Sequence, residues 1–288
     1  MDSIKVSVIM AVYDTKEDYL REAIESILNQ TFKNFEFIII NDGSIIDVEN
    51  VILSYKDDRI VYLKQENKGI VGALNNGWDH ANGKYIARMD SDDVAYPERF
   101  EKQVKFLEEN PEYSLVGGQA RILGTNKKVS VTADVRLIDL LADCAFVHPS
   151  IMFRKADFDK YNLRYTKEAE FAEDYILYAK AIKHLKMTNL NDIVIDYRIY
   201  PENSSSANRE ARVKSSFKVQ DLILDYISKD EKEKRLILDI AYKKKVKTRC
   251  LKERIFSIKN MYKNWAKYKL VTILGFEFYI VVTKYDKN

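Results

Sequence analysis

Residues 85–93 read Tyr85-Ile86-Ala87-Arg88-Met89-Asp90-Ser91-Asp92-Asp93. A short, mostly apolar run stops abruptly at an acidic turn, which is how a buried strand and the loop beyond it are written. Working outward, Ile4 to Val12 (IKVSVIMAV) is nearly continuous β-branched and apolar sequence, as expected of a strand covered on both faces. Asp14 or Thr15 is then placed to cap a helix whose Tyr19, Leu20, Ala23, Ile24, Ile27 and Leu28 share one face. Phe35 to Ile40 (FEFIII) is a second buried strand, broken by Asn41-Asp42-Gly43-Ser44. A helix from about Asp47 to Tyr55, a strand from Ile60 to Leu63 and the turn Asn67-Lys68-Gly69 follow. A further helix through Ala73, Leu74, Trp78 and Ala81 then leads back to Tyr85. Strand and helix in this alternation predict an α/β fold, an open and mainly parallel sheet flanked by helices. Ligands of such sheets bind beyond the carboxyl ends of the strands. Tyr13-Asp14, Asn41-Asp42 and Asp90 to Asp93 are therefore expected on one rim.

The second half is less regular. Pro97 opens a helix to about Asn110, Ser114 to Leu123 and Ala145 to Phe153 read as strands, Glu173 to His184 as a helix and Asp192 to Ile199 as a strand. The polar loop Pro201 to Asn208 (PENSSSAN) marks a boundary. The expected organisation is an α/β domain over 1–208, with halves of about 1–110 and 111–208, and a basic helical region over 209–288.

Composition narrows the class. The 288 residues are 46% hydrophobic and 32% charged, which suits a globular chain with a real core. Nine Gly and four Pro are too few for a collagen-like or disordered chain. Cys144 and Cys250 stand far apart in no metal-type spacing and read as reduced thiols of a cytoplasmic protein. The N-terminus carries no basic leader and apolar core of a signal peptide. Leu270 to Val282 is shorter than the roughly 20 residues a span needs, and it contains Glu277.

The net charge of +3 hides an asymmetry, with 17 Lys/Arg against 7 Asp/Glu over 229–288. Lys243-Lys244-Lys245, Lys247 and Arg249 precede Ile255, Phe256, Ile258, Met261, Tyr262 and Trp265. One reading is a set of solvated helices packed on the main domain or on a second subunit of a homodimer. The other is a basic, aromatic surface lying on an anionic membrane. No nucleic acid is expected as a partner, because no recognised fold or stacking platform accompanies the charge.

Each polar cluster has a structural and a chemical reading. Asp90, Asp92 and Asp93 are either a solvated turn or oxygen ligands for Mn²⁺ or Mg²⁺ that bridge to phosphates. Asp42 either closes an Asx turn or meets the N–H groups of a ligand. Glu173-Asp174 either complements a helix dipole or supplies a general base. His148 in His148-Pro149-Ser150 is either structural or catalytic. Tyr197-Arg198-Ile199-Tyr200 with its Ser-rich loop is either an exposed connection or a phosphate-clamping lid.

In order along the chain, these pieces resemble family-2-type glycosyltransferases. The matching pieces are Val6 to Tyr13, Ser26-Ile27 to Gln30-Thr31, Asn41 to Ser44, Asn67 to Gly69, Ala73 to Asn75, Gly83 to Ile86 and Met89 to Asp93. His148-Pro149-Ser150, Glu173-Asp174 and Tyr197-Arg198 continue the match, which runs roughly from Ile4 to Ser206. The resemblance implies a GT-A fold, a Rossmann-like sheet with the donor on its carboxyl rim, and transfer with inversion. It implies a hexose-type sugar moved from a UDP-sugar to a hydroxyl of a glycan or lipid-linked glycan, as in bacterial capsule or O-antigen synthesis. Val12, Tyr13, Asp42, Asn67, Asp90 and Ser91 would bind the nucleotide sugar, Asp42 at the uracil and Asp90 on the ribose side. Asp92 would hold the metal and Asp174 would be the base, with His148, Glu173 and Arg198 as acceptor or diphosphate contacts. The cysteine usage and the basic, aromatic C-terminal region lead to an expected place in the cytoplasm, or peripherally on the inner face of the cell membrane. Tyr200 stands near the place where some relatives carry a His, so no His ligand is expected from that loop. A sugar nucleotidyltransferase would want a Gly-rich basic loop after the first strand, where Ala11-Val12-Tyr13-Asp14 stands instead. A non-catalytic nucleotide-sugar-binding protein would have no need of Asp90, Asp92 and Asp174 together.

Overall fold

The structure, a computed structural model, describes residues 4–200, 208–230, 233–234, 236–238 and the strand backbones of 256–263, 266–273 and 276–284. Its first half alternates as the periodicity predicts: β1 (Val6–Val12), α1 (Glu17–Leu28), β2 (Phe35–Asp42), α2 (Val48–Leu53), β3 (Ile60–Gln65), α3 (Gly69–His80) and β4 (Tyr85–Asp90). The strands lie in the order β3-β2-β1-β4, all parallel, with Val6 opposite both Phe35 and Tyr85.

Side chains alternate across this sheet with the period of two that a strand imposes. Ile9, Ile38 and Ile40 enter one core with Leu74 and Trp78 of α3. Val8, Met10, Phe37 and Ile39 enter the other with Leu20, Ile24 and Ile27 of α1. α3 lies so close to the sheet that a Cβ on Gly77 would stand 2.6 Å from Ile9 Cγ2 and 2.8 Å from Ile40 Cδ1.

Next come β5 (Val94–Ala95), α4 (Arg99–Glu109), β6 (Tyr113–Ile122), β7 (Lys128–Val129) and α5 (Leu137–Ala142). They are followed by a 3-10 turn (His148–Ser150), β8 (Met152–Arg154), α6 (Lys155–Lys160), α7 (Glu173–Ala181) and β9 (Lys186–Tyr197). The sheet continues β4-β8-β6-β9-β5, with β7 on β6. Here the parallel reading stops: β8 is antiparallel to β4 and β6, β5 is antiparallel to β9, and only β6 and β9 run parallel. The single strand expected over Ala145 to Phe153 is also shortened. Pro149 has no N–H for a ladder, and the chain turns at His148–Ser150 before pairing over Met152–Arg154.

Two buried side chains of α4 lock this seam. Arg99 Nη2 donates to the carbonyls of Arg88 (2.8 Å) and Ile151 (3.2 Å). Gln103 Nε2 donates to those of Ser150 (2.7 Å) and Val116 (3.1 Å). The parallel half is thereby held to the turn that carries His148.

α8 (Arg209–Ile227) begins the C-terminal region as a helix and packs on α5 and α7 through Val219, Ile223 and Leu224, with Gln220 Nε2 bonded to the Leu141 carbonyl at 3.1 Å. The helical expectation fails farther on. Strands β10 (Phe256–Lys263), β11 (Ala266–Ile273) and β12 (Phe276–Lys284) form an antiparallel sheet in that order. These segments are dense in Ile, Val, Thr, Tyr and Phe, which suit a pleated surface better than a helix. The boundary loop apart from Asn208, the basic run Lys243 to Arg249, Cys250 and Trp265 lie outside the described residues. Among the described residues no helix is long and apolar enough to cross a membrane.

Candidate functional site at the carboxyl rim

β1 ends at Val12, and Tyr13 beyond it is 48% exposed. Asp14 does not cap α1, whose cap position is Lys16 with no side-chain bond. Asp14 instead adopts φ 48°, a left-handed conformation that Asp tolerates better than most residues. There its Oδ1 accepts from the N–H groups of Ile45 (2.7 Å) and Ile46 (3.2 Å), and its own N–H donates to Ser44 Oγ (3.1 Å). This pins the loop after β2 against the end of β1.

In that loop Asn41, not Asp42, makes the Asx turn, its Oδ1 accepting from Ser44 N–H at 2.9 Å. Asp42 is buried, and its Oδ1 accepts from Gln65 Nε2 (2.6 Å) and Lys68 N–H (2.9 Å). Gly43 sits at φ 74°, and a Cβ there would stand 2.7 Å from the Asn67 nitrogen. Asn67 Oδ1 in turn accepts from Gly69 N–H at 3.0 Å. Asp42 and Asn67 thus meet at the end of β2.

At the end of β4, one ligand oxygen from each of Asp90, Asp92 and Asp93 can be chosen so that all lie within 4.8 Å of one another. Asp93 is buried; one oxygen accepts from Arg198 N–H at 2.8 Å, and the other, Oδ2, has no partner. Asp92 Oδ2 accepts from the Tyr200 hydroxyl at 2.8 Å, and its carbonyl accepts from Arg198 Nε at 2.7 Å. Ser91 Oγ lies 2.6 Å from Thr15 Oγ1. Arg198 also pairs with Glu22 and lies 4.0 Å over the Tyr19 ring, so the end of β9 closes over the acidic turn.

Burial above all, and then Asp90, pushes Asp92 up to about 6. Burial followed by Asp90 and Asp92 pushes Asp93 well above the usual carboxylate range. Crowded carboxylates of this kind are relieved by a cation, and a ligand set of oxygens alone suits Mg²⁺ or Mn²⁺. The unpartnered Asp93 oxygen is free to serve as a ligand atom beside Asp92, the residue that the resemblance names for the metal.

A second cluster gathers at the head of α7. His148 Nε2 lies 2.9 Å from the Tyr165 hydroxyl. Burial first and Arg88 second hold His148 far below its ordinary value, so its ring is neutral. Asp174 Oδ1 accepts from Tyr175 N–H (2.7 Å), and Oδ2 accepts from the Cys144 thiol (3.7 Å). The cap position of α7 belongs to Ala172, so neither acid is the helix cap. Burial and then Asp174 raise Glu173 to about 7, and burial raises Asp174.

The two clusters feel each other. Asp90 acts on Glu173, and Arg88 acts on Asp92, Asp93, Glu173 and Asp174. Arg198 sits with Asp92 and Asp93 rather than with His148. The sequence reading missed Arg88, Tyr165 and Cys144. Arg88 had a legible signal, standing two residues before Asp90 and so on the same face of its strand.

Residues 7–205 match the family described as Glycosyl transferase family 2. The chain is 34% identical over 211 residues to an uncharacterized glycosyltransferase of Methanocaldococcus jannaschii, covering 69% of this chain and 72% of that one. It is 28% identical over 295 residues to one of Haemophilus influenzae, covering 94% and 90%. S. aureus TarS 1-349 in complex with UDP-GlcNAc superposes with a TM-score of 0.66 at 20% identity, covering 84% of this chain and 73% of that one. The mannosyltransferase PcManGT from Pyrobaculum calidifontis, in complex with GDP-Man and Mn²⁺, gives 0.59 at 16% identity, covering 83% and 69%. At these identities the likeness to both structures is one of fold, the curled mixed sheet flanked by helices of the GT-A type.

Proposed function

The chain belongs to glycosyl transferase family 2, and from that premise we propose that it moves a hexose-type sugar from a UDP-sugar to a hydroxyl of a glycan acceptor, with inversion. The observation that carries this reading is the acidic cluster Asp90, Asp92 and Asp93 at the end of β4, on the same carboxyl rim as Asp42 at the end of β2 two strands away. Proteins of this fold are found in complex with UDP-GlcNAc and with GDP-Man, so nucleotide-sugar donors suit the fold and the choice of UDP is part of the proposal.

In this reading Val12, Tyr13, Asp42 and Asn67 take the nucleoside, with Asp42 at the base. Asp90 and Ser91 take the ribose side. Asp92, with Asp93 beside it, would hold Mn²⁺ or Mg²⁺. When bound, that ion neutralises charge on the departing diphosphate. The acceptor hydroxyl oxygen bonds to the anomeric carbon as the bond from that carbon to the diphosphate oxygen breaks, and UDP leaves with the electron pair. The hydroxyl proton passes to Asp174, on the face opposite the leaving group. Neutral His148 and Glu173 contact the acceptor, while Arg198 lies on the diphosphate side.

The basic C-terminal region supports a peripheral place on the inner face of a bacterial cell membrane. There the acceptor would be a lipid-linked glycan of a surface polysaccharide. Positive charge near anionic headgroups contributes up to about 1 kcal/mol per residue.

The test is nucleotide release from a panel of UDP- and GDP-sugars with Mn²⁺ and glycan acceptors. Release of UDP from one or a few UDP-hexoses is expected. A preference for a GDP-sugar, or release from none, overturns the reading.

A further inference from the structure

Lys16 is an exposed cation on the carboxyl rim, and among the described residues no carboxylate pairs with it. It occupies the cap position of α1, where its charge opposes the positive end of the helix dipole. Its side chain makes no cap hydrogen bond, which Ser, Thr, Asp or Asn would supply there. Three acids near it in the sequence are engaged elsewhere. Glu17 pairs with Arg21 at 2.8 Å, Glu22 pairs with Arg198, and Asp14 accepts from the N–H groups of Ile45 and Ile46. A lysine set against the helix dipole and left without a counter-charge does nothing for the helix that bears it.

The surroundings of its ammonium are aromatic. Nζ lies 5.5 Å from the centre of the Tyr19 ring and 5.7 Å from that of Tyr200. The Tyr200 hydroxyl donates to Asp92 Oδ2 at 2.8 Å, so one ring separates the ammonium from the acidic turn. The residue before Lys16 reaches the same turn directly, Thr15 Oγ1 lying 2.6 Å from Ser91 Oγ. A ring face attracts a cation through its quadrupole and takes up none of its N–H donors. The three donors of Nζ are therefore held beside the turn unused. The other cation on the Tyr19 ring, Arg198, is committed to the turn itself. Its N–H donates to Asp93, its Nε to the Asp92 carbonyl and its Nη2 to Glu22.

We propose that Lys16 binds the diphosphate of the donor, its ammonium donating to phosphate oxygens from the α1 side of the acidic turn. The proposal rests on the reading of that turn as the donor site. A diphosphate brings negative charge to a rim that already carries Asp90, Asp92 and Asp93, and one divalent ion does not offset all of it. An ammonium on a flexible four-carbon stem supplies a further positive charge that can follow the phosphates, and its bonds to them are charge-assisted.

The experiment is titration calorimetry of UDP in Mn²⁺ with the full native chain, Lys16→Met and Lys16→Arg. Binding of Mn²⁺ without nucleotide is followed in parallel by the paramagnetic resonance of the free ion. Lys16→Met is expected to weaken UDP binding by about tenfold, the loss of one hydrogen bond to a charged group. Lys16→Arg should keep most of the affinity, and Mn²⁺ binding without nucleotide should be the same in all three chains. Native UDP affinity in Lys16→Met overturns the proposal. So does an equal loss of Mn²⁺ affinity, because Lys16 would then act on Asp92 through the Tyr200 ring and not on the diphosphate. If the native chain takes GDP in place of UDP, the choice of UDP falls and the same comparison with GDP decides the role of Lys16. If it takes neither, the donor-site reading and the proposal fall together.

Discussion

The hydroxyl of Tyr200 donates a 2.8 Å hydrogen bond to Asp92 Oδ2, joining two residues 108 positions apart in the chain. Tyr200 also packs on Tyr19, ring centroids 5.5 Å apart, with Lys16 over both rings. The phenol therefore has a fixed direction, and it fixes one carboxylate oxygen of the acidic turn.

Outer partners of this sort orient a ligating carboxylate, and their loss typically costs about 10–100-fold in metal affinity. Tyr200→Phe is accordingly expected to weaken Mn²⁺-dependent UDP binding by roughly tenfold, read by titration calorimetry. Tighter binding in the variant would show that the phenol competes with the cation instead of orienting its ligand.

The raised carboxylates carry a pH signature. Glu173 stands at about 7 and Asp92 at about 6, against ordinary values of 4.5 and 3.8. Between the ordinary and raised values the folded chain holds protons that the unfolded chain has released. These groups therefore stabilise the fold at low pH, and that contribution is lost as pH rises through 6 to 7. Glu108 is held down to about 2 by Lys5 and Lys84, so it acts in the opposite sense only below its ordinary 4.5. His148, held far below its ordinary 6.5, acts in the opposite sense between pH 5 and 8 and is unchanged by substitutions at these two carboxylates, so the two chains are compared. In chelator the unfolding temperature at pH 8 relative to pH 5 should be higher in Asp92→Asn/Glu173→Gln than in the native chain. Equal differences in the native chain and the double variant would contradict this assignment.

Asp174→Asn should leave UDP affinity intact and lower the transfer rate by roughly 10²–10⁴-fold, the range for losing a general base. Turnover near the native rate at saturating substrate would remove Asp174 from that role.

The close approach of α3 makes a purely structural prediction. Gly77→Ala places a methyl group against Ile9 and Ile40, and overpacking of this kind costs about 1–3 kcal/mol. Urea unfolding should show the loss; an unchanged midpoint would mean that α3 moves off the sheet freely.

The first four strands were legible because each is a compact apolar run closed by turn residues, and both cores follow from their alternation. The acidic rim was legible for the same reason, since Asp42 and Asp90 end their strands. What sequence hid was relational. Asp14 looked like a helix cap because local spacing is silent about Ile45 and Ile46, thirty residues on. Arg88 carries a period-two signal with Asp90, but only the fold shows it buried and paired with that carboxylate. The C-terminal strands were misread as helix because a basic, aromatic run was weighed for charge before period.

The central claim is a cation-assisted nucleotide site at Asp90, Asp92 and Asp93, and calorimetry of UDP binding tests it most directly. The native chain and Asp92→Ala would each be titrated in Mn²⁺ and in chelator, with circular dichroism to show that the variant is folded. Tight binding that is lost both in chelator and in folded Asp92→Ala is the expected result. Equal affinity with Mn²⁺ and with chelator in the native chain would contradict the claim.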